Sequence, residues 1–124
     1  MLEGIRVVDA STEIAGAYCT KLLADAGADV VKVEPFGGDP LRSWGSGALF
    51  DFLHTSKRSV VASPGDATLA DWCATADVVV DSAIHGLDVG RLREQHPSLV
   101  VASITPFGLD GPWADWAATE FTLQ

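Results

Sequence analysis

The chain carries one adjacent pair of cations, Lys57-Arg58, within a sequence whose formal charge is −9. Two neighbouring cations can hold a phosphate or carboxylate through charge-assisted hydrogen bonds, so a local anion site is the first chemistry on offer. The overall acidity argues against nucleic-acid binding, which rests on phosphate neutralisation. Other chemistries fail on spacing. His54, His85 and His96 are isolated, and Cys19 and Cys73 fall in separate predicted helices, which reads as free thiols and no metal site. No glycine-flanked serine nucleophile and no P-loop occurs. The turn Asp9-Ala10-Ser11-Thr12-Glu13-Ile14-Ala15-Gly16 has one glycine where a dinucleotide fingerprint has three. Glu34 therefore stands alone as a ribose-type acid, which is weak evidence for a dinucleotide.

The elements that must position these residues alternate. Strands are predicted at 5–10, 28–34, 59–62, 77–81 and 99–104, where β-branched residues run together. Between them, Ile14 to Ala26 has apolar residues at helical spacing, and Gly27 sits where a helix favours a left-handed cap. A short helix is predicted over Ala48 to His54. Ser63-Pro64-Gly65-Asp66 reads as a helix start, with a hydroxyl cap and proline at the first position. Asp88 is predicted to cap a further helix, with Leu87 packed on Leu92, and His96-Pro97 to end it. Strand and helix alternating at this spacing predict parallel pairing through right-handed crossovers. The expected fold is an α/β, Rossmann-like, open doubly wound sheet of about five mostly parallel strands with flanking helices. Its ligand would lie outside the carboxyl ends of the strands, near the loops after Ala10, Glu34, Asp81 and Ile104.

At 124 residues, 48% hydrophobic and 20% charged, the sequence fits one globular domain. No apolar run approaches the ~18 residues of a membrane helix. The opening Met1-Leu2-Glu3-Gly4 has neither the basic nor the apolar part of a signal peptide, which predicts a cytoplasmic protein without membrane attachment. Thr119 to Gln124 begins an element with no cap and no stop, which reads as truncation.

Several phrases, taken in order, carry a resemblance. They are Leu2-Glu3-Gly4-Ile5-Arg6-Val7-Val8-Asp9, Ala15-Gly16-Ala17-Tyr18-Cys19, and Leu22 through Pro35 (LLADAGADVVKVEP). Gly37-Gly38-Asp39-Pro40, Ser56-Lys57-Arg58-Ser59-Val60, Ala76-Asp77-Val78-Val79-Val80 and Ser103-Ile104-Thr105-Pro106-Phe107-Gly108 follow. Each is weak alone. The ordered set resembles the amino-terminal region of the class III CoA transferases, the family of formyl-CoA and carnitine CoA transferases and α-methylacyl-CoA racemases.

The resemblance implies that residues 1–124 form an amino-terminal CoA-binding domain of an interlocked homodimer. It implies CoA transfer from an acyl-CoA to a carboxylic acid acceptor, with CoA as substrate and no covalently bound cofactor. The aspartate nucleophile of the family would fall beyond Gln124, so this segment alone would not turn over. By the same resemblance Ile14, Ala15, Lys57, Arg58 and Ser82 contact CoA, and Glu120 matches a supporting active-site acid. Ser82 stands where the family usually has asparagine, and the family's arginine-containing phrase after it is reduced to Asp81-Ser82-Ala83-Ile84-His85-Gly86. Two alternatives remain: a non-catalytic CoA-binding half of a larger or duplicated protein, and a racemase. The racemase base would precede Glu120, where Thr119 stands, and a threonine cannot take a proton α to a thioester.

Overall fold

Valine runs set the centre of the molecule, because stiff β-branched side chains pack well on a sheet covered on both faces. In the computed structural model, which describes all residues except 64, 83–86 and 124 and the side chain of Glu120, they form five strands. These are β1 (Arg6–Ala10), β2 (Asp29–Glu34), β3 (Arg58–Val61), β4 (Val78–Asp81) and β5 (Val100–Ser103). Their order is β3-β2-β1-β4-β5, and every neighbouring pair is parallel. The chain steps outward from β1 to β3, then returns to pair β4 with β1. Its direction of winding reverses between β1 and β4, where sheets of this type open a crevice. The doubly wound parallel sheet expected from the sequence is the one formed.

The helices are α1 (Ile14–Asp25), α2 (Ala48–His54), α3 (Ala67–Ala74), α4 (Val89–Gln95) and α5 (Glu120–Leu123), with a 3₁₀ turn at Pro40–Ser43. One face of the sheet packs Val7, Val30 and Val80 against Ala24 and Ala28, at the end of α1 and just beyond it. The other packs Val8, Val33, Val79 and Val101 against Leu69 and Cys73 of α3 and Leu92 of α4. A third cluster, Ala17, Leu41, Phe50 and Leu53, seats α2 and the 3₁₀ turn on α1. Among the described residues no helix is long and apolar enough to cross a membrane.

Local signals explain most boundaries. Gly27 takes φ +102°, open to glycine at no steric cost, and its amide closes α1 on the Ala24 carbonyl at 2.9 Å. The Asp88 side chain accepts from the Arg91 amide at 2.9 Å and caps α4, which ends at His96 before Pro97. The predicted start of α3 is corrected. Ser63 does not cap it; its amide donates to Asp66 Oδ2 at 2.7 Å, the chain turns there, and the helix begins at Ala67. Pro64, predicted at the first helical position, lies outside the described residues, as does His85.

Candidate functional site

At the reversal point the loops leaving β1 and β4 meet. The Thr12 amide donates to Ser82 Oγ at 3.3 Å. Glu13 occupies the N-cap position of α1 without a side-chain hydrogen bond to the helix, and no acid stands in the first turn. The opening turn of α1 thus keeps its amides free of side-chain caps and open to an anion, with the Glu13 carboxylate beside them as an opposing charge. Ile14, 42% exposed, and the exposed Ala15 form its outer surface. Three of the residues expected to contact the ligand, Ile14, Ala15 and Ser82, are brought to one edge.

Gly16 sets the closeness of this turn. A Cβ there would lie 2.2 Å from Ser11 Cβ, so only glycine lets α1 approach the end of β1 this nearly. This is the close-packing role of the last glycine in a dinucleotide fingerprint. The other two glycine positions hold Ser11 and Glu13.

Below the edge lies a buried charged cluster. Asp9 and Lys32 are register partners on β1 and β2, with Nζ 3.9 Å from Oδ1. Lys32 also pairs with Asp39 at 3.1 Å and donates to the Ser11 carbonyl. Lys57 enters from the segment before β3, and its side chain is 1% exposed. Its ammonium donates to Asp9 Oδ2 at 3.0 Å, to the Ala17 carbonyl at 2.9 Å and to Thr20 Oγ1 at 2.7 Å. It also lies 3.3 Å from His54 Nδ1. An ammonium has three protons, and these partners use them all. Lys57 therefore reaches the first loop from beneath it rather than from the solvent side.

Burial pushes the Asp9 carboxyl up, but Lys32 and Lys57, helped by the Ser11 and Thr20 hydroxyls, hold it below its ordinary value. Burial pulls the Lys57 ammonium down against the attraction of Asp9. His54 falls to about 4 through burial and the neighbouring Lys57 charge, so its imidazole is neutral at pH 7. Sequence reasoning assigned no role to Asp9, Lys32 or Thr20. The available signal was a charge set inside each apolar strand, in VVDA and VVKVE.

The remaining candidates lie elsewhere. Arg58 opens β3 and grips Asp29, which opens β2, through bonds of 2.6 and 2.8 Å, with its guanidinium 5.6 Å from the Trp72 ring centre. That pair sits at the amino ends of the strands, away from Ser82. Glu34 accepts from Arg42 Nε at 2.6 Å and Nη2 at 2.7 Å, from the Asp39 amide and from Ser59 Oγ. These bonds hold it at a pKa of about 2 and commit it to the loop after β2. Glu120 begins α5, and its side chain lies outside the described residues. A cavity of about 360 Å³ opens between α3 and α4, with Arg91, Asp88 and Cys73 in its lining.

Residues 2–124 match the family described as CoA-transferase family III. The chain is 39% identical over 146 residues to the succinate–glutarate CoA-transferase of Agrobacterium fabrum, covering 99% of this chain and 36% of that protein. It is 39% identical over 127 residues to the succinyl-CoA:mesaconate CoA-transferase of Haloarcula marismortui, covering 86% and 32%. Among solved structures, a CAIB/BAIF family protein from Brucella suis superposes with a TM-score of 0.86 at 34% identity, covering 98% and 37%. The chain spans about a third of the length of these relatives. Matched across nearly all of its residues, the chain belongs to CoA-transferase family III.

Proposed function

We propose that this chain is the CoA-binding segment of a cytoplasmic enzyme that moves CoA between carboxylic acids. The observation that carries the reading is the joined edge of Thr12 and Ser82 beneath an uncapped α1, in a family of CoA transferases. The pyrophosphate of CoA would settle at the opening turn of α1, with Ile14, Ala15 and Ser82 as contacts. Lys57 acts from below, and Arg58 belongs to the amino-end pair with Asp29.

The chemistry uses an aspartate outside residues 1–124. Its carboxylate attacks the acyl-CoA carbonyl and expels CoA thiolate, leaving a mixed anhydride. The thiolate attacks the aspartyl carbonyl, releasing the first acid and leaving an aspartyl thioester. The acceptor carboxylate then displaces the thiolate to form a second anhydride. Attack of that thiolate on the acceptor's acyl carbon yields the new acyl-CoA and frees the aspartate. Binding energy from the long CoA moiety holds each carbonyl within reach. Glu120 supports this centre, and the working enzyme is an interlocked homodimer. The named transferases of succinate, glutarate and mesaconate favour a short dicarboxylic acid as one partner.

Calorimetric titration of CoA into the chain tests the binding half of the proposal. Exchange of CoA between succinyl-CoA and short dicarboxylic acids by the full-length protein tests the rest. A chain that leaves CoA unbound, or a full-length protein that transfers CoA to no acid, overturns the corresponding half.

A further inference from the structure

We infer that Asp9, Thr20 and Lys57 form a positioning device for the CoA-binding turn, and that Lys57 serves CoA through the backbone rather than by contact. The inference rests on the functional reading above and goes beyond it, by giving an indirect role to a lysine expected to be a ligand contact.

The argument is geometric. The turn from Ser11 to Ala17 must present its backbone to the ligand, and both of its ends are held by the same carboxylate–ammonium pair. At the entry, Asp9 Oδ1 accepts from the Ser11 amide at 3.1 Å and the Ser11 hydroxyl at 2.6 Å. At the exit, Asp9 Oδ2 accepts from Thr20 Oγ1 at 2.6 Å, while Lys57 Nζ donates to the Ala17 carbonyl at 2.9 Å. Lys57 and Asp9 close the brace on each other at 3.0 Å. Lys32, on the Ser11 carbonyl, fixes the remaining backbone group at the entry.

The side chains of Asp9 and Lys57 are 0% and 1% exposed, so an outside ligand does not reach their charged atoms. Burying two carboxylates and two ammoniums, Asp9, Asp39, Lys32 and Lys57, is a poor way to gain stability, because desolvation offsets most of the Coulomb attraction. Such a cluster does fix geometry: hydrogen bonds tolerate only a narrow range of lengths and directions, whereas apolar contacts carry no directional preference. The turn it fixes is the one where Gly16 already lies against Ser11 and Thr12 reaches Ser82.

Thr20 allows a clean test, since its hydroxyl links Asp9 to Lys57 and can be removed with little change of shape. In calorimetric titrations of the chain, Thr20→Val weakens CoA binding about tenfold, the scale of a lost hydrogen bond to a charged group. Thr20→Ser, which restores the hydroxyl, binds within about twofold of the unsubstituted chain, whatever either change does to the melting temperature. A merely structural role would make affinity follow melting temperature and would not be rescued selectively. Should Thr20→Val fail to fold, intermolecular nuclear Overhauser effects on the unsubstituted chain decide: CoA protons reach Ile14 and Ala15 but not the Lys57 methylenes. Equal affinities for the three chains, or direct contacts from CoA to Lys57, overturn the positioning role alone. No CoA binding by the unsubstituted chain overturns the functional reading, and this inference with it.

Discussion

The Thr12 amide reaches Ser82 Oγ at 3.3 Å, joining two loops that are 70 residues apart in sequence. The bond crosses the gap between β1 and β4, so the edge of the crevice is held as one surface. Ser82→Ala removes it while leaving the backbone of β4 untouched. The loss of one neutral hydrogen bond is worth about 1 kcal/mol, which predicts CoA affinity lower by about fivefold in calorimetry. Ser82→Asn, which keeps both a donor and an acceptor, should lose less. An alanine variant that binds as well as the original would remove Ser82 from the site.

A carboxylate placed at Ile14 separates stability from binding, because the two respond with opposite sign. Ile14 is the first residue of α1 and is 42% exposed. An acid there interacts favourably with the helix dipole, by about 0.3–1 kcal/mol, so Ile14→Asp should melt no lower than the parent chain. The same charge would repel the phosphates of CoA and lower affinity by at least about tenfold. Differential scanning fluorimetry and calorimetry on one sample check both. An Ile14→Asp chain with unchanged CoA affinity would place the ligand away from α1.

The sheet was legible because its information is local. The predicted strands match β1 to β5 to within one residue at every end, and α2 spans Ala48–His54 as expected. Apolar periodicity and Gly27 are read within a single element. The start of α3 lies beyond the expected Ser63 because the Ser63 amide donates to the Asp66 carboxylate and Asp66 takes the N-cap position. The fate of the cations was illegible for a different reason. Lys57 and Arg58 are adjacent in sequence, yet one meets Asp9, 48 residues earlier, and the other Asp29, 29 residues earlier. Lys57 precedes β3 and Arg58 opens it, and the two side chains reach different carboxylates rather than one shared anion. Only the register of β1, β2 and β3 decides which carboxylate each one finds.

His54 makes stability depend on mildly acidic pH. Its imidazole, ordinarily near 6.5, falls to about 4 in the folded chain, through burial first and the Lys57 charge second. Between those values the unfolded chain carries a proton there that the folded chain does not. Stability is therefore highest above pH 6.5 and is lost as pH falls towards 4, with a slope approaching about 1.4 kcal/mol per pH unit from this one group. Urea unfolding at half-unit pH steps measures it. His54→Gln, which cannot titrate, should flatten the curve over this window, and a His54 ring proton that titrates near 6.5 in the folded chain would refute the assignment.

Glu34 governs a lower window. Two bonds from Arg42, with Ser59 and the Asp39 amide, hold its carboxyl at about 2 against an ordinary 4.5, although burial alone would raise it. The folded chain therefore keeps this group ionised where the unfolded chain protonates it. The stabilisation is complete above pH 4.5 and disappears as pH falls to 2, amounting to about 3 kcal/mol at most. Arg42→Gln takes away the charge and the paired bonds but leaves Glu34 buried. It should lower stability at pH 7 and bring the acid transition to higher pH. The loop from Pro35 to the 3₁₀ turn depends on the same carboxylate, because the Asp39 amide and Arg42 both bond to it. Hydrogen exchange in that loop should accelerate in Arg42→Gln while the amides of β1 and β4 keep their protection. Acceleration spread evenly over the sheet would instead mean that the Glu34–Arg42 pair supports the whole fold rather than this loop.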